Sequence, residues 1–427
     1  MLELLQGIFG TAPWVTQLSS ILGVVAIASF ALLIVIFLIW EERKVIARIQ
    51  DRIGPNRVGP YGLGQSFADI VKLLIKEQIT PAGADKVAYN AAPILIVVMA
   101  VVMWAVMPFG PGVIGADLNI GIFFILAVSS VSVVAVLLAG WGSNNKYALL
   151  GAFRAVAQLV SYEVPMVIAL IVPILLARSM STVDIIEAQT VPFFFMAPIS
   201  MMIFFISALA ETGRTPFDLL EAESEIIAGF HVEYSGMKFA MFQLAEFVGA
   251  YFMSCLVAVI YFGGWNIPII NLILRPFGVA PIDFAQMGVI GAILGVLVFF
   301  LKSMVFYFVF IWVRGTLPRV RIDQILDFNW KFLVPISLVL ILVVAVLDKL
   351  IPVSASDVVR GVIHFLANVA IAFGVVEVLR RRGRANRMAA EGEPTDDDLA
   401  AHHDDHGHHG HGHDDHHAHD VHAAPAH

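Results

Sequence analysis

Residues 19–40 read SSILGVVAIASFALLIVIFLIW, an uncharged apolar run, and Glu41-Glu42-Arg43-Lys44 follow at once. About 20 residues of helix cross the ~30 Å hydrocarbon core of a bilayer, so this run reads as a spanning helix. No basic segment precedes it and no small-residue cleavage site follows it, so it is expected to be a retained span rather than a signal peptide. Outward from it, eight further apolar runs lie at about 91–108, 120–140, 155–177, 193–210, 242–262, 287–312, 332–350 and 358–379. Each ends in charge, Pro or Gly, as spanning helices do. The runs at 91–108 and 193–210 are short, and Arg360 and His364 interrupt the last. With 59% hydrophobic and 14% charged residues and a mean hydropathy of +0.84, the chain reads as an all-α polytopic membrane protein.

The formal charge of −8 hides a division. Residues 1–387 hold all 26 Lys and Arg and 24 of the 34 acids, whereas residues 388–427 hold 10 acids and no Lys or Arg. The membrane body is nearly neutral and the tail acidic, so lipid is the expected surrounding and nucleic acid is not an expected partner. A single cysteine, Cys255, excludes an intrachain disulfide and any cysteine-ligated iron–sulfur cluster held by this chain alone. No dinucleotide glycine fingerprint and no phosphate loop is present, so redox carriers are expected elsewhere.

Lys and Arg orient the spans. With the N-terminus outside, 21 basic residues fall in cytoplasmic segments and only Arg178, Arg275, Lys349 and Arg360 fall outside, with Lys302 inside a span. That satisfies the positive-inside rule and places the C-terminus in the cytoplasm.

The loops with unusual chemistry then share the cytoplasmic side. Residues 50–62, Gln-Asp-Arg-Ile-Gly-Pro-Asn-Arg-Val-Gly-Pro-Tyr-Gly, make a tight turn. After it, Phe67, Ile70, Val71, Leu74 and Ile75 recur at helical spacing opposite Asp69, Lys72 and Lys76, which predicts an interfacial amphipathic helix. Its lysines read as an ordinary basic rim. Glu163 sits inside an apolar run, and an intramembrane carboxylate is a functional candidate by default. The bland alternative is an acid hydrogen-bonded to a neighbour such as Tyr162. Residues 210–225, Ala-Glu-Thr-Gly-Arg-Thr-Pro-Phe-Asp-Leu-Leu-Glu-Ala-Glu-Ser-Glu, cluster carboxylates against span ends, with Glu233 and Glu246 close behind. Glu221 and Glu225 share a helical face with Asp218, so these acids repel and titrate as a group. A solvated acidic face is the alternative; it suits Glu233 better than Glu211 or Glu246, each of which abuts a span. Arg214 lies near Asp218. Arg314, Arg319, Arg321 and Asp323 either pair with the acidic segment or serve as topogenic charge.

Four of these motifs occur in one order: Glu42-Arg43-Lys44 with the Gly-Pro loop through Gly62, residues 146–163, residues 210–234, and residues 314–323. Together they resemble the membrane subunit at the junction of the peripheral and membrane arms of respiratory complex I, the H subunit in bacteria. The resemblance spans about residues 15–350. It implies eight core transmembrane helices at 1–350, with a ninth helix and basic stop at 351–387 as an addition and a His/Asp-rich tail at 388–427. It also implies a subunit without a redox centre or covalently bound cofactor. Quinone is the substrate, and FMN and iron–sulfur clusters sit in partner subunits. Glu42, Arg43, Arg52, Phe67 and Asp69 are then expected to line or brace the quinone tunnel. Glu163, Glu211, Asp218, Glu221, Glu223, Glu225, Glu233 and Glu246 are expected to form a proton-coupling file. Arg214, Arg314, Arg319 and Asp323 are expected to organise the loops. The implied partners are the peripheral quinone-site and iron–sulfur subunits, the small membrane subunits and the antiporter-like subunits, in a bacterial plasma membrane. Gly213 stands where the family usually has Asn, and Ser66 where Pro is common.

The tail holds 12 of the 14 histidines. Histidine tracts bind Zn, Ni or Cu, so His402–His422 is a possible metal site; lacking fixed ligand spacing, the segment reads first as an acidic tail that does not fold alone. Two other functions fit parts of the pattern. One is the equivalent subunit of a membrane-bound hydrogenase, which neighbouring genes distinguish. The other is a stand-alone transporter, which predicts inverted repeats.

Overall fold

The computed structural model describes residues 13–218, 229–274, 282–352 and 356–392. These form helices and no strands. In chain order they are α1 (Pro13–Ile49), α2 (Gln65–Ile75), α3 (Lys86–Val102), α4 (Gly121–Gly142), α5 (Lys146–Ala177), α6 (Thr182–Glu187), α7 (Phe193–Met196), α8 (Pro198–Glu211), α9 (Gly236–Phe262), α10 (Pro268–Leu274), α11 (Gly288–Thr316), α12 (Ile322–Phe328), α13 (Val334–Leu350) and α14 (Asp357–Gly392).

Among the described residues, eight helices are long and apolar enough to cross a membrane, the last running Asp357–Arg381. The protein is an all-α polytopic membrane protein. Eight of the nine expected spans match these helices. The run at 193–210 instead divides into α7 and α8, because Ala197 leaves helical geometry (φ −138, ψ 62) and Pro198 starts a new helix. At 14 residues α8 is shorter than a bilayer needs. The span expected from 155 begins earlier, at Lys146, where the Asn145 side chain caps the helix by accepting from Tyr147 N at 2.9 Å.

Contacts divide the chain into two compact units, Met1–Ile371 and Ala372–His427. In the second, Glu377 accepts from Arg381 Nε at 2.9 Å within α14. In the first, α9 is the core helix and packs on α1, α3, α8 and α11. From Tyr251 through Tyr261 it is almost entirely withdrawn from the surface. Trp104 fills the centre of that contact, stacking on Phe109 and Tyr251 with Phe252 edge-on. Most other helices leave one apolar face outward, as lipid-facing helices must.

The predicted amphipathic helix is α2, with Phe67, Val71, Leu74 and Ile75 exposed. The Gly-Pro loop before it is shaped by Gly62 at φ +81, where an added Cβ would collide with Pro55 O. Trp40 Nε1 donates to Tyr61 O at 3.1 Å and ties this loop to the end of α1. Gly213 lies at φ +62, a conformation that Gly and Asn tolerate better than other residues.

Lys302, inside α11, donates to Phe262 O at 2.8 Å and Gly264 O at 2.9 Å, with Asn266 O as a third partner. One ammonium thereby satisfies carbonyls freed where α9 ends at Gly263 and Gly264, and its charge suits a helix C-terminus. Lys302→Met is expected to destabilise the protein by about 2–3 kcal/mol through those orphaned carbonyls, read as a lower thermal midpoint in detergent. An unchanged midpoint would show that water or lipid replaces the ammonium.

Candidate functional site

Glu42 lies in the last turns of α1, where the helix passes from apolar to charged sequence, and its residue exposure is only 5%. Arg214, 3% exposed, comes from the loop after α8 and donates through Nη1 to Glu42 Oε2 at 2.6 Å. Arg314, in the last turn of α11, donates to the other carboxylate oxygen, and Tyr307 OH donates to Oε2 at 3.3 Å. Arg214 Nε also faces Glu246 Oε1 of α9 at 3.2 Å, and its guanidinium lies 4.7 Å from the Phe247 ring centre. Two arginines and two glutamates thus meet inside the bundle with charges balanced. Burial alone disfavours a charged Arg214, but Glu42 and Glu246 overcome it and hold the guanidinium firmly protonated.

A cleft with a cavity volume of about 110 Å³ lies beside this cluster. Glu211, Glu246, His231, Gln243, Thr212 and Ser129 supply its polar lining, while Phe230, Phe242 and Met253 are among its apolar walls. Glu211 ends α8 and reaches the cleft with Oε2 lacking a hydrogen-bond partner among the described residues. Ser129 and Ser130, adjacent on α4, divide between two acids. Ser129 approaches Glu211, and Ser130 Oγ donates to Glu163 Oε1 at 3.0 Å. The neighbour of Glu163 is therefore Ser130 and not Tyr162, whose hydroxyl donates to Ile325 O at 3.0 Å. Consecutive helical residues point about 100° apart, so Tyr162 and Glu163 face different partners.

The remaining candidates fall into three groups. Arg43 pairs with Asp69 across α1 and α2, and Gln65 Nε2 also donates to Asp69 at 3.2 Å. Burial would raise the Asp69 carboxyl, but the hydrogen bond and charge of Arg43 hold it below the usual range. Phe67 is exposed on α2, and Arg52 is exposed and donates to Gln50 Oε1 at 2.7 Å, apart from both clusters. Glu233 accepts from Asn145 Nδ2 at 2.6 Å, which fixes it to the loop before α5 and away from the cleft. The loop carrying Arg319 meets the loop carrying Arg214 through Val320 N donating to Pro216 O at 3.1 Å. Asp323 sits in the first turn of α12, where a carboxylate suits the helix dipole. Asp218 lies close enough to Glu246 to bear on its charge. Glu221, Glu223 and Glu225 lie outside the described residues, as do the histidines of the tail.

Three participants are not legible as such in the sequence: Tyr307, Ser130 and His231. Tyr307 has a signal, since it lies two turns before Arg314 and shares its face of α11. Ser130 has none, because its role depends on α4 meeting α5.

The NADH dehydrogenase family profile matches residues 22–345. The NADH-quinone oxidoreductase H subunit of Dehalococcoides mccartyi (strain CBDB1) is 43% identical over 357 residues, covering 84% of this chain and 93% of the relative. The corresponding H subunit of Brevibacillus brevis (strain 47 / JCM 6285 / NBRC 100599) is 46% identical over 338 residues, covering 78% and 94%. The chain belongs to the H-subunit family of NADH-quinone oxidoreductases. A further member, from Rhodospirillum centenum (strain ATCC 51521 / SW), is 45% identical over 312 residues, or 73% of this chain and 88% of the relative. The buried charge cluster and the cleft acids all lie within the residues that the family profile matches, whereas α14 lies beyond them.

Breaking a buried ion pair by removing one partner typically costs about 3–5 kcal/mol, because the other charge stays buried. Arg214→Ala is expected to cost that much, seen as loss of assembled protein on native gels. Arg214→Lys, which keeps the charge but cannot bridge Glu42 and Glu246 with one planar group, should retain part of it. Equal yields of wild type and Arg214→Ala would show that the cluster does not stabilise the fold.

Burial pushes the His231 imidazole down to about 4 from its ordinary 6.5. The folded state therefore favours neutral His231, a contribution complete above pH 6.5 and lost as pH falls from 6.5 towards 4. The thermal midpoint should drop across that window in wild type and drop less in His231→Phe. Parallel curves would show that His231 does not carry the acid sensitivity.

Proposed function

We propose that this chain builds the quinone tunnel of a proton-pumping NADH:quinone oxidoreductase and relays quinone reduction to proton translocation. The observation that carries this reading is the charge-balanced cluster of Glu42, Arg214, Arg314 and Glu246, which shares Glu246 with the acid-lined cleft. At this burial, water cannot offset a new charge, and Coulomb interactions are several-fold stronger than in bulk solvent. A charge arriving beside Glu42 or the arginines is then compensated by moving a proton. Glu246 sits at the handover, touching Arg214 on one side and the cleft on the other. From there Glu211 and Glu163, each attended by a serine of α4, extend the file. Arg43 and Asp69 brace α2 against α1 beside exposed Phe67, where a long apolar substrate tail would enter from the bilayer interface.

On this reading residues 1–350 form the shared core, 351–387 an added helix with its basic stop, and 388–427 an acidic tail. The Lys and Arg distribution supports an N-terminus outside and a C-terminus in the cytoplasm of a bacterial plasma membrane. The chain itself holds no redox centre; FMN and iron–sulfur clusters belong to peripheral partner subunits. Those subunits meet the cytoplasmic loops, and the small and antiporter-like membrane subunits continue the file.

The deciding experiment is to isolate the native complex in mild detergent and assay NADH:quinone reductase activity with and without a quinone-site inhibitor. Inhibitor-sensitive activity with copurifying flavin and iron–sulfur subunits supports the reading. A lone polypeptide from a preparation shown to keep assemblies intact overturns it. Glu163→Gln is expected to assemble normally and to impair quinone-linked turnover or pumping; wild-type rates with wild-type proton yield would remove Glu163 from the file. Arg43→Ala is expected to raise the quinone KM while leaving NADH oxidation by artificial acceptors unchanged, whereas equal losses in both would indicate failed assembly.

A further inference from the structure

A second group of ionisable side chains, Arg178 apart, sits outside the residues that the family profile matches. Asp348, near the end of α13, pairs with Arg360 of α14 and with Arg178 Nη2 at 3.6 Å, just past the end of α5. One and two turns further along α14 on the same face come His364 and Asn368, both 0% exposed. Asn368 Nδ2 donates to Met196 O at 3.0 Å, a carbonyl freed by the break between α7 and α8, and to His364 O at 2.9 Å.

The polar atoms of this group are incompletely satisfied. Both ring nitrogens of His364 and Oδ1 of Asn368 lack hydrogen-bond partners among the described residues. His364 Nε2 lies 3.9 Å from Asp348 Oδ1, too far for a direct hydrogen bond. Buried unpaired donors and acceptors are destabilising, and native proteins relieve them with ordered water when two to four polar partners converge. A His364 ring nitrogen and Asp348 Oδ1 lie 3.9 Å apart, and the unpartnered Asn368 Oδ1 belongs to the next turn of the same face.

We propose that His364, Asn368 and Asp348 enclose a water-binding, proton-exchanging site contributed by α14, at the opposite end of the bundle from the Glu42 cluster. A proton from bulk water passes through the bound water to the unprotonated ring nitrogen of His364, the water gaining one proton as it gives one up, with Asp348 as the neighbouring anion. Release reverses the step, with no other bond made or broken. The charged and titratable groups facing His364 are Asp348 from α13 and Arg360 from α14 itself, with Arg178 beyond α5 bearing on Asp348; α7 presents only a backbone carbonyl.

The site rests on packing alone, and only its turnover readout depends on the quinone-linked function proposed above. Cryo-electron microscopy of the intact complex, at a resolution that shows waters, should reveal density about 3 Å from a His364 ring nitrogen and from Asn368 Oδ1. A dry site, with those atoms against carbon, overturns the proposal. In everted membrane vesicles, whose lumen faces this end of the bundle in the orientation proposed above, quinone-linked turnover should depend on luminal pH. His364→Gln keeps size and hydrogen bonding without titrating, and should lose that dependence while external pH dependence persists. Identical luminal profiles for wild type and His364→Gln overturn the proton-exchange role. Vesicles without inhibitor-sensitive turnover would instead overturn the quinone-linked function, and the water density would still decide this site.

Discussion

The burial of Arg214 between Glu42 and Glu246 is the constraint on which the rest of this structure turns. A guanidinium at 3% exposure is tolerable only with carboxylates beside it, here Glu42 through a hydrogen bond and Glu246 through charge at 3.2 Å. That requirement fixes α1, α9 and α11 relative to the loop after α8, because each contributes one member of the cluster. The acid-lined cleft follows from the same arrangement. Glu246 is held on one side by Arg214, so the rest of its surroundings open towards Glu211 and His231.

Several polar groups elsewhere in the apolar body sit where a backbone carbonyl has been left without its helical partner. Lys302 caps the end of α9, Asn368 meets the carbonyl exposed at the break before α8, and Gln158 donates to Ala210 O and Phe217 O across the turn that carries Arg214. Without water in the hydrocarbon region, each broken helix requires such a partner. These side chains support the irregular backbone that a site needs.

Lineage and geometry answer different questions. Identity of 43% and 46% to two H-subunit relatives across most of the chain fixes its lineage. The geometry gives that lineage a physical content: a balanced set of buried charges beside an acid-lined cleft. The tunnel and relay roles are the function this chemistry supports best.

Much of the fold is legible in the chain because length and apolarity are local properties. Ser19–Trp40 must span or aggregate, and the spacing from Phe67 to Ile75 marks an amphipathic helix. The acids of interest are also visible, since a carboxylate among apolar residues is conspicuous. Their partners are not. Glu42 meets Arg214 and Arg314 across 172 and 272 residues, and Glu163 finds Ser130 on another helix. The segment around Ala197 reads as part of one span, because apolar composition does not record a change of backbone direction. The sequence by itself determined which segments leave water and which charges they carry. Only the tertiary structure decided which charges meet, because a buried charge is stabilised by whatever group lies within a few ångströms, and that depends on which helices pack together.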